Sequence, residues 1–146
     1  MLRFYAKYHS MPSATFFLDE LVTVALKSRT SNVVVNDEIS LLCRVKGPNV
    51  PLSVTWLFEQ VGRSSEETIV SVHHTGDVAW GREGDGYQLS TAISGDDSQY
   101  VLGVTKASLR NAGVYKCVVG AYLRQTQRAS KPSNPLGVRV QKPGTM

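Results

Sequence analysis

The chain has 146 residues, 42% of them hydrophobic and 19% charged, and a net charge of +4. That length buries one core but not comfortably two, and the longest apolar run, Cys117–Leu123, falls well short of the ~20 residues of a membrane-spanning helix. Collagen periods, heptads and low-complexity tracts are absent, which excludes the fibrous and disordered classes, and two cysteines are too few for a knottin-like scaffold or a four-cysteine zinc site.

Residues 1–30 read as an extension, with Leu21–Leu26 rich enough in Val and Leu for an edge strand. The beginning of this segment is basic and aromatic and lacks the apolar core and small-residue cleavage site of a secretory signal. From Ser31 onward the pattern is β. Val33–Val35 is a β-branched run closed by the turn pair Asn36-Asp37. Ile39, Leu41, Cys43 and Val45 alternate with Ser40, Leu42, Arg44 and Lys46, the period of a half-buried strand. After the loop Gly47–Pro51, Val54, Trp56 and Phe58 alternate again. Thr68–Val72 is another β-branched run. Thr75–Gly86 holds four glycines and reads as loop with a weak edge strand. Leu89–Ser94 and Tyr100–Thr105 flank the turn Gly95-Asp96-Asp97, Gly113–Tyr122 is a long strand, Arg124–Pro135 reads as a polar, basic loop, and Leu136, Val138 and Val140 form the last strand. Short strands separated by turns predict an all-β sandwich or barrel.

Four positions agree in spacing and strand phase. Cys43 and Cys117 lie mid-strand on the inward phase, 74 residues apart. Trp56 follows the first cysteine on the inward phase of the next strand, and Tyr115 stands two residues before the second, in Asn111-Ala112-Gly113-Val114-Tyr115-Lys116-Cys117. The plainer alternative, two unrelated free thiols in a reducing compartment, leaves Trp56 and Tyr115 as coincidence. This constellation resembles the immunoglobulin superfamily, over about residues 31–141. The resemblance implies a β-sandwich of two antiparallel sheets joined by a Cys43–Cys117 disulfide, with Trp56 packed on the bridge and Tyr115 locking a corner. The long interval between the cysteines accommodates the extra strand pair of a variable-type domain, formed from Thr68–Val72 and the stretch after His74, with Leu102, Val104 and Ala107 pointing inward. The predicted organisation is an extension over 1–30, a V-type domain over 31–142 and a tail over 143–146.

Among variable-type families the chain is most similar to the EWI-type cell-surface glycoproteins, on Val104-Thr105-Lys106-Ala107-Ser108 running into the corner and on Ser133-Asn134-Pro135-Leu136-Gly137-Val138 opening the last strand. It departs from them in lacking the Glu-Trp-Ile tripeptide. It departs from many variable domains in carrying Asn111 at the corner in place of Asp, without an evident Arg partner, so a local bond for Asn111 is expected. The Phe-Gly-x-Gly bulge of antigen receptors and any Asn-x-Ser/Thr sequon are also absent.

No catalytic arrangement emerges, so no enzyme activity, cofactor or metal is expected. His73 and His74 are adjacent and point to opposite faces of a strand, which reads as a solvated strand end rather than an ion site with Asp77. Gly81–Gly86 lacks the Lys-Ser/Thr ending of a phosphate loop and reads as a flexible connection. Asp96-Asp97 reads as a turn rather than a calcium site.

Two surfaces are candidates for recognition. With Trp56 and Cys117 inward, Leu57, Val118, Gly120 and Tyr122 take the outward phase, an apolar face around a flat Gly120 with Lys116 and Arg139 at its rim. Arg124, Arg128 and Lys131, in the predicted loop at the recognition end, suit an acidic protein or glycan. Aromatics are not interleaved with these cations, so nucleic acid is not expected. All twelve acidic residues lie at or before Asp97, while eight basic ones follow it; the first 97 residues sum to −4 and the last 49 to +8. The expected function is an extracellular or cell-surface adhesion module, a piece of a multi-domain membrane glycoprotein, docking a protein partner homophilically or heterophilically. The EWI-type resemblance implies lateral association with other membrane proteins, tetraspanins included. The alternative is a soluble secreted binding protein.

Overall fold

In a computed structural model, residues 21–30, 32–82 and 86–144 are described. The alternation read from Ile39 to Lys46 becomes strand β2 (Ile39–Lys46), its odd-numbered residues buried. It pairs antiparallel with β1 (Thr23–Ser28) on one side and β7 (Asp97–Val104) on the other, and β6 (Tyr87–Ser94) closes that sheet in the order β1-β2-β7-β6. The second sheet runs β10-β8-β3-β4-β5, built from β3 (Leu52–Gln60), β4 (Glu67–Val72), β5 (Val78–Trp80), β8 (Gly113–Leu123) and β10 (Leu136–Val138); β9 (Thr126–Pro132) also pairs with β8. The extra pair expected after His74 is β4 and β5, attached to the sheet of β3 and β8 as in a variable-type sandwich.

β1 belongs to the first sheet, and the Val33–Val35 run leaves it to meet the chain just beyond β10. There Val35 N donates to Gln141 O (2.8 Å) and Gln141 N to Val33 O (3.0 Å), a parallel contact. The turn after it is held as its composition predicts: Asn36 takes a φ of 78° and the Asp37 carboxylate accepts from Val34 N at 2.9 Å.

Three readings are corrected. Arg124–Pro135 is mostly strand rather than loop, with residues 133–135 remaining irregular: β8 and β9 form a hairpin through Arg124-Gln125, whose φ values of 53° and 67° match a two-residue turn. β9 has no apolar alternation because it is an edge strand, and its pairing comes from the apolar β8 beside it. Asp97 is not a turn residue either. The turn is Gly95-Asp96, and Asp97 opens β7 opposite Lys46 and Ser94. Gly81-Arg82 is anchored, since both amides donate to Ile69 O (2.7 and 3.1 Å) and a Cβ at Gly81 would run into the Thr68 carbonyl. Residues 83–85 of that predicted connection, and residues 1–20 of the extension, lie outside the described residues.

Candidate functional site

The core holds the outer faces rigid. Cys43 and Cys117 are bonded, their Cα atoms 6.6 Å apart, and join β2 of one sheet to β8 of the other. Trp56 is the direct cross-strand neighbour of Cys117 and fully buried. Tyr115 donates its hydroxyl proton to Asn111 O at 2.6 Å; Tyr87 Oη, 2.7 Å away, therefore donates to it in turn. The Phe58 ring lies 4.5 Å from that of Tyr115. Asn111 bonds locally as expected, its Oδ1 accepting from Ser108 N at 2.8 Å and capping the short 3-10 turn Leu109–Asn111.

Alternation then fixes what the second sheet shows outward. Leu57 and Val118 are half-buried, opposite Lys116 and Thr55 respectively. Gly120 is not a flat opening: it is buried, and a Cβ there would meet Ser53 Oγ at 2.7 Å and Gln127 Oε1 at 3.1 Å. Tyr122 stacks on His74 with ring centroids 3.9 Å apart and donates to Gln127 Oε1 at 3.1 Å. The upper half of the face is therefore polar, and its continuation is mixed, with exposed Glu59 opposite Val114 and Lys116 opposite Leu57. Val61 and Val114 are 69% and 44% exposed, and with Gly137 they border a groove of about 550 Å³ that reaches Val33 and Val138. The sequence reading missed both valines, although they stand on the outward phase of Leu57 and of Lys116. Lys116, expected at the rim, lies within the face opposite Leu57 and pairs with Glu66 (3.3 Å), and Arg139 is exposed.

The three cations of the hairpin do not share one face. Arg124 is exposed at the turn. Arg128 is half-buried where the β8–β9 register shifts, and Lys131 stands opposite the inward-facing Val119. From Arg124 to Lys131 the chain covers roughly 20 Å at strand rise.

A family model described as Immunoglobulin domain matches residues 22–120, more than half of the chain. The chain belongs to the immunoglobulin superfamily. Immunoglobulin superfamily member 3 of Xenopus tropicalis is 32% identical over 126 residues, covering 80% of this chain and 11% of the relative. Immunoglobulin superfamily member 2 of Homo sapiens is 30% identical over 136 residues, covering 86% and 13%. These relatives are of the EWI type, which agrees with the resemblance read from the corner and last-strand residues. The chain spans about a tenth of the length of the curated relatives it matches.

Within this immunoglobulin domain the remaining candidates have structural roles. His74 is not a solvated strand end; besides stacking on Tyr122, its Nε2 lies 3.0 Å from Gln125 Oε1, which ties the β4–β5 turn to the hairpin tip. Asp97 is engaged by Arg44, Nε to Oδ1 at 3.0 Å and Nη2 to Oδ2 at 2.7 Å. That hydrogen-bonded guanidinium holds the carboxyl below the usual carboxylate range. Arg82 pairs with Glu67 (3.0 Å) and lies 5.2 Å from the Phe58 ring centre. Among the described residues, no three His, Cys, Asp or Glu side chains gather as an ion would require, and no helix is long and apolar enough to cross a membrane.

Proposed function

We propose that this immunoglobulin domain is an extracellular recognition module of a cell-surface protein. It acts without catalysis, by docking the outer face of its six-stranded sheet against the same face of a second copy. The observation that supports this reading is the exposed pair Val61 and Val114 beside the groove, continuous with half-buried Leu57 and Val118. Apolar side chains on a rigid, flat sheet can dock a partner together with interspersed polar groups; here Lys116, paired with Glu66, lies between Val114 and Val118, and Arg139 borders the groove. The disulfide supports an oxidising, extracellular setting, and because Cys43 and Cys117 are bonded to each other neither serves as a nucleophile. The superfamily relatives support a membrane-protein context, in which lateral contacts with other membrane proteins would use the same face.

Sedimentation equilibrium of the chain tests the reading. Concentration-dependent dimerisation is expected, weakened strongly by Val61→Asp plus Val114→Asp and more mildly by Leu57→Asp plus Tyr122→Ser. A monomer at all concentrations, or association indifferent to both pairs, rejects it.

A further inference from the structure

The opposite sheet carries a second surface, of different chemistry. On its outward phase β1 presents Thr23, Ala25 and Lys27, and β2 presents Lys46, Arg44, Leu42 and Ser40. The register sets Thr23 against Lys46, Ala25 against Arg44 and Lys27 against Leu42. One residue beyond β1, Arg29 N donates to Ser40 O at 2.7 Å and so continues the ladder on the phase of Lys27. Each of four successive rows thus holds one cation beside one uncharged side chain. The charge passes from β2 in the first two rows, Lys46 and Arg44, to β1 in the last two, Lys27 and Arg29. Same-face rows are two residues apart, so the four cations span about 20 Å in a line. Thr23, Ala25, Lys27, Arg44 and Lys46 border a shallow groove of about 310 Å³. Among the described residues no acidic side chain forms an ion pair with Lys27, Arg29 or Lys46. Asp97 and Asp96 border the Lys46 end, and Asp97 engages Arg44 through Nε and Nη2, leaving the Nη1 edge of the guanidinium to other acceptors.

We propose that this stripe on the outer face of β1 and β2 binds a linear sulfated glycan chain. A line of single positive charges at regular intervals suits a ligand whose anions repeat along one axis. Ser40 adds a hydroxyl on the same face, Thr23 Oγ1, whose proton goes to Lys46 O at 3.5 Å, adds an acceptor, and the small Thr23 and Ala25 let a chain approach the sheet. The disulfide supports the extracellular setting where sulfated glycans are met. An acidic protein segment is the competing ligand. The charge skew of the sequence points elsewhere, to the last 49 residues; it does not reveal the stripe, because all four cations come from the net-acidic part of the chain.

The probe is immobilised heparin, with retention of the whole chain measured against salt. Lys27→Ser, Arg29→Ser and Lys46→Ser together are expected to abolish retention at moderate salt. They should also reduce the dependence of log affinity on log salt from a slope of about 3–4 to about 1, since that slope counts the anions neutralised. Asp97→Asn, which removes the one acid engaging the stripe, is expected to raise the eluting salt concentration. Arg124→Ser, Arg128→Ser and Lys131→Ser together are expected to change little. The three stripe side chains are exposed, so unchanged far-ultraviolet dichroism is expected for that variant, and its self-association should match that of the unaltered chain, because the stripe lies on the other sheet. Unchanged retention of the stripe variant, or loss caused by the hairpin variant instead, overturns the proposal. So does competition by polyglutamate as effective as that by heparin, which would assign the stripe to acidic protein.

Discussion

Tyr115 has one hydroxyl proton, and among the described residues Asn111 and Tyr87 both engage its hydroxyl. Asn111 O receives the proton, and Tyr87 donates to the oxygen. Tyr115→Phe leaves the buried Asn111 carbonyl without its partner and should lower stability by about 1–3 kcal/mol. A urea midpoint that falls with an unchanged m value checks this. Position 111 shows how one residue type redirects a local network: Asn accepts from the Ser108 amide and hydroxyl and so serves as a cap, where a charged side chain would need a cation. Asp97 gives the chain an acid-sensitive contact. Its folded pKa lies below the ordinary value near 4 because of the Arg44 hydrogen bonds. The stabilisation it gives is therefore fully present above that ordinary value and is lost as pH falls through the lower, folded one. Being on the surface, the pair contributes modestly. Asp97→Asn should flatten the acid limb of the stability–pH curve without altering the curve at neutral pH in slope, as stability measured from pH 2 to 7 would reveal.

At the scale of elements, the hairpin of β8 and β9 and the break before β10 carry most of what was not legible. Arg124 and Gln125 both sit at positive φ, where side chains other than Gly, Asn or Asp are strained. Arg124→Asn should stabilise the chain by up to about 1 kcal/mol while leaving the His74–Gln125 contact in place, and thermal unfolding tests it. Between β9 and β10, the Cys117 amide donates to Ser133 Oγ at 3.0 Å, and the Ser133 amide to Cys117 O at 2.8 Å. The next residue, Asn134, uses both ends of its amide on Leu26: Oδ1 accepts from Leu26 N (3.0 Å) and Nδ2 donates to Leu26 O (2.9 Å). A side chain here imitates a strand and closes the outer edge of β1, linking the two sheets at their margin. Asn134→Ala should raise amide exchange in β1 well before it affects β3 or β8, with a loss of about 1–3 kcal/mol. The sequence showed Ser133-Asn134-Pro135 as the end of a polar loop and as part of the segment that resembles the EWI-type proteins, without the contact to Leu26. A polar side chain's partner 108 residues away leaves no local signature, and an edge strand such as β9 needs no apolar period.

For the whole molecule, the disulfide ties the centre of one sheet to the centre of the other. Replacing Cys43 and Cys117 by Ala should cost about 2–5 kcal/mol, and Trp56→Ala about 3–5 kcal/mol through the cavity it opens beside the bridge; calorimetry on each variant checks both. The sandwich also separates two chemistries by placing them on opposite outer faces. Val61, Val114 and Leu57 lie on the β3–β8 sheet, and the line of Lys46, Arg44, Lys27 and Arg29 on the β1–β2 sheet.

Strand phase is a local property with period two, so the alternations around Cys43, Trp56 and Cys117 were enough to determine the inward residues from the sequence alone, while the superfamily and the variable-type strand pair followed from the resemblance carried by Cys43, Trp56, Tyr115 and Cys117 and from the long interval between the cysteines. Which outward residues meet depends on register between strands distant in the chain. Only the tertiary structure set Val114 beside Gly137, covered Gly120 with Gln127, dispersed Arg124, Arg128 and Lys131 along an edge, and lined up cations from two strands into one stripe. A surface is made by neighbours in space, and composition along the chain does not record them.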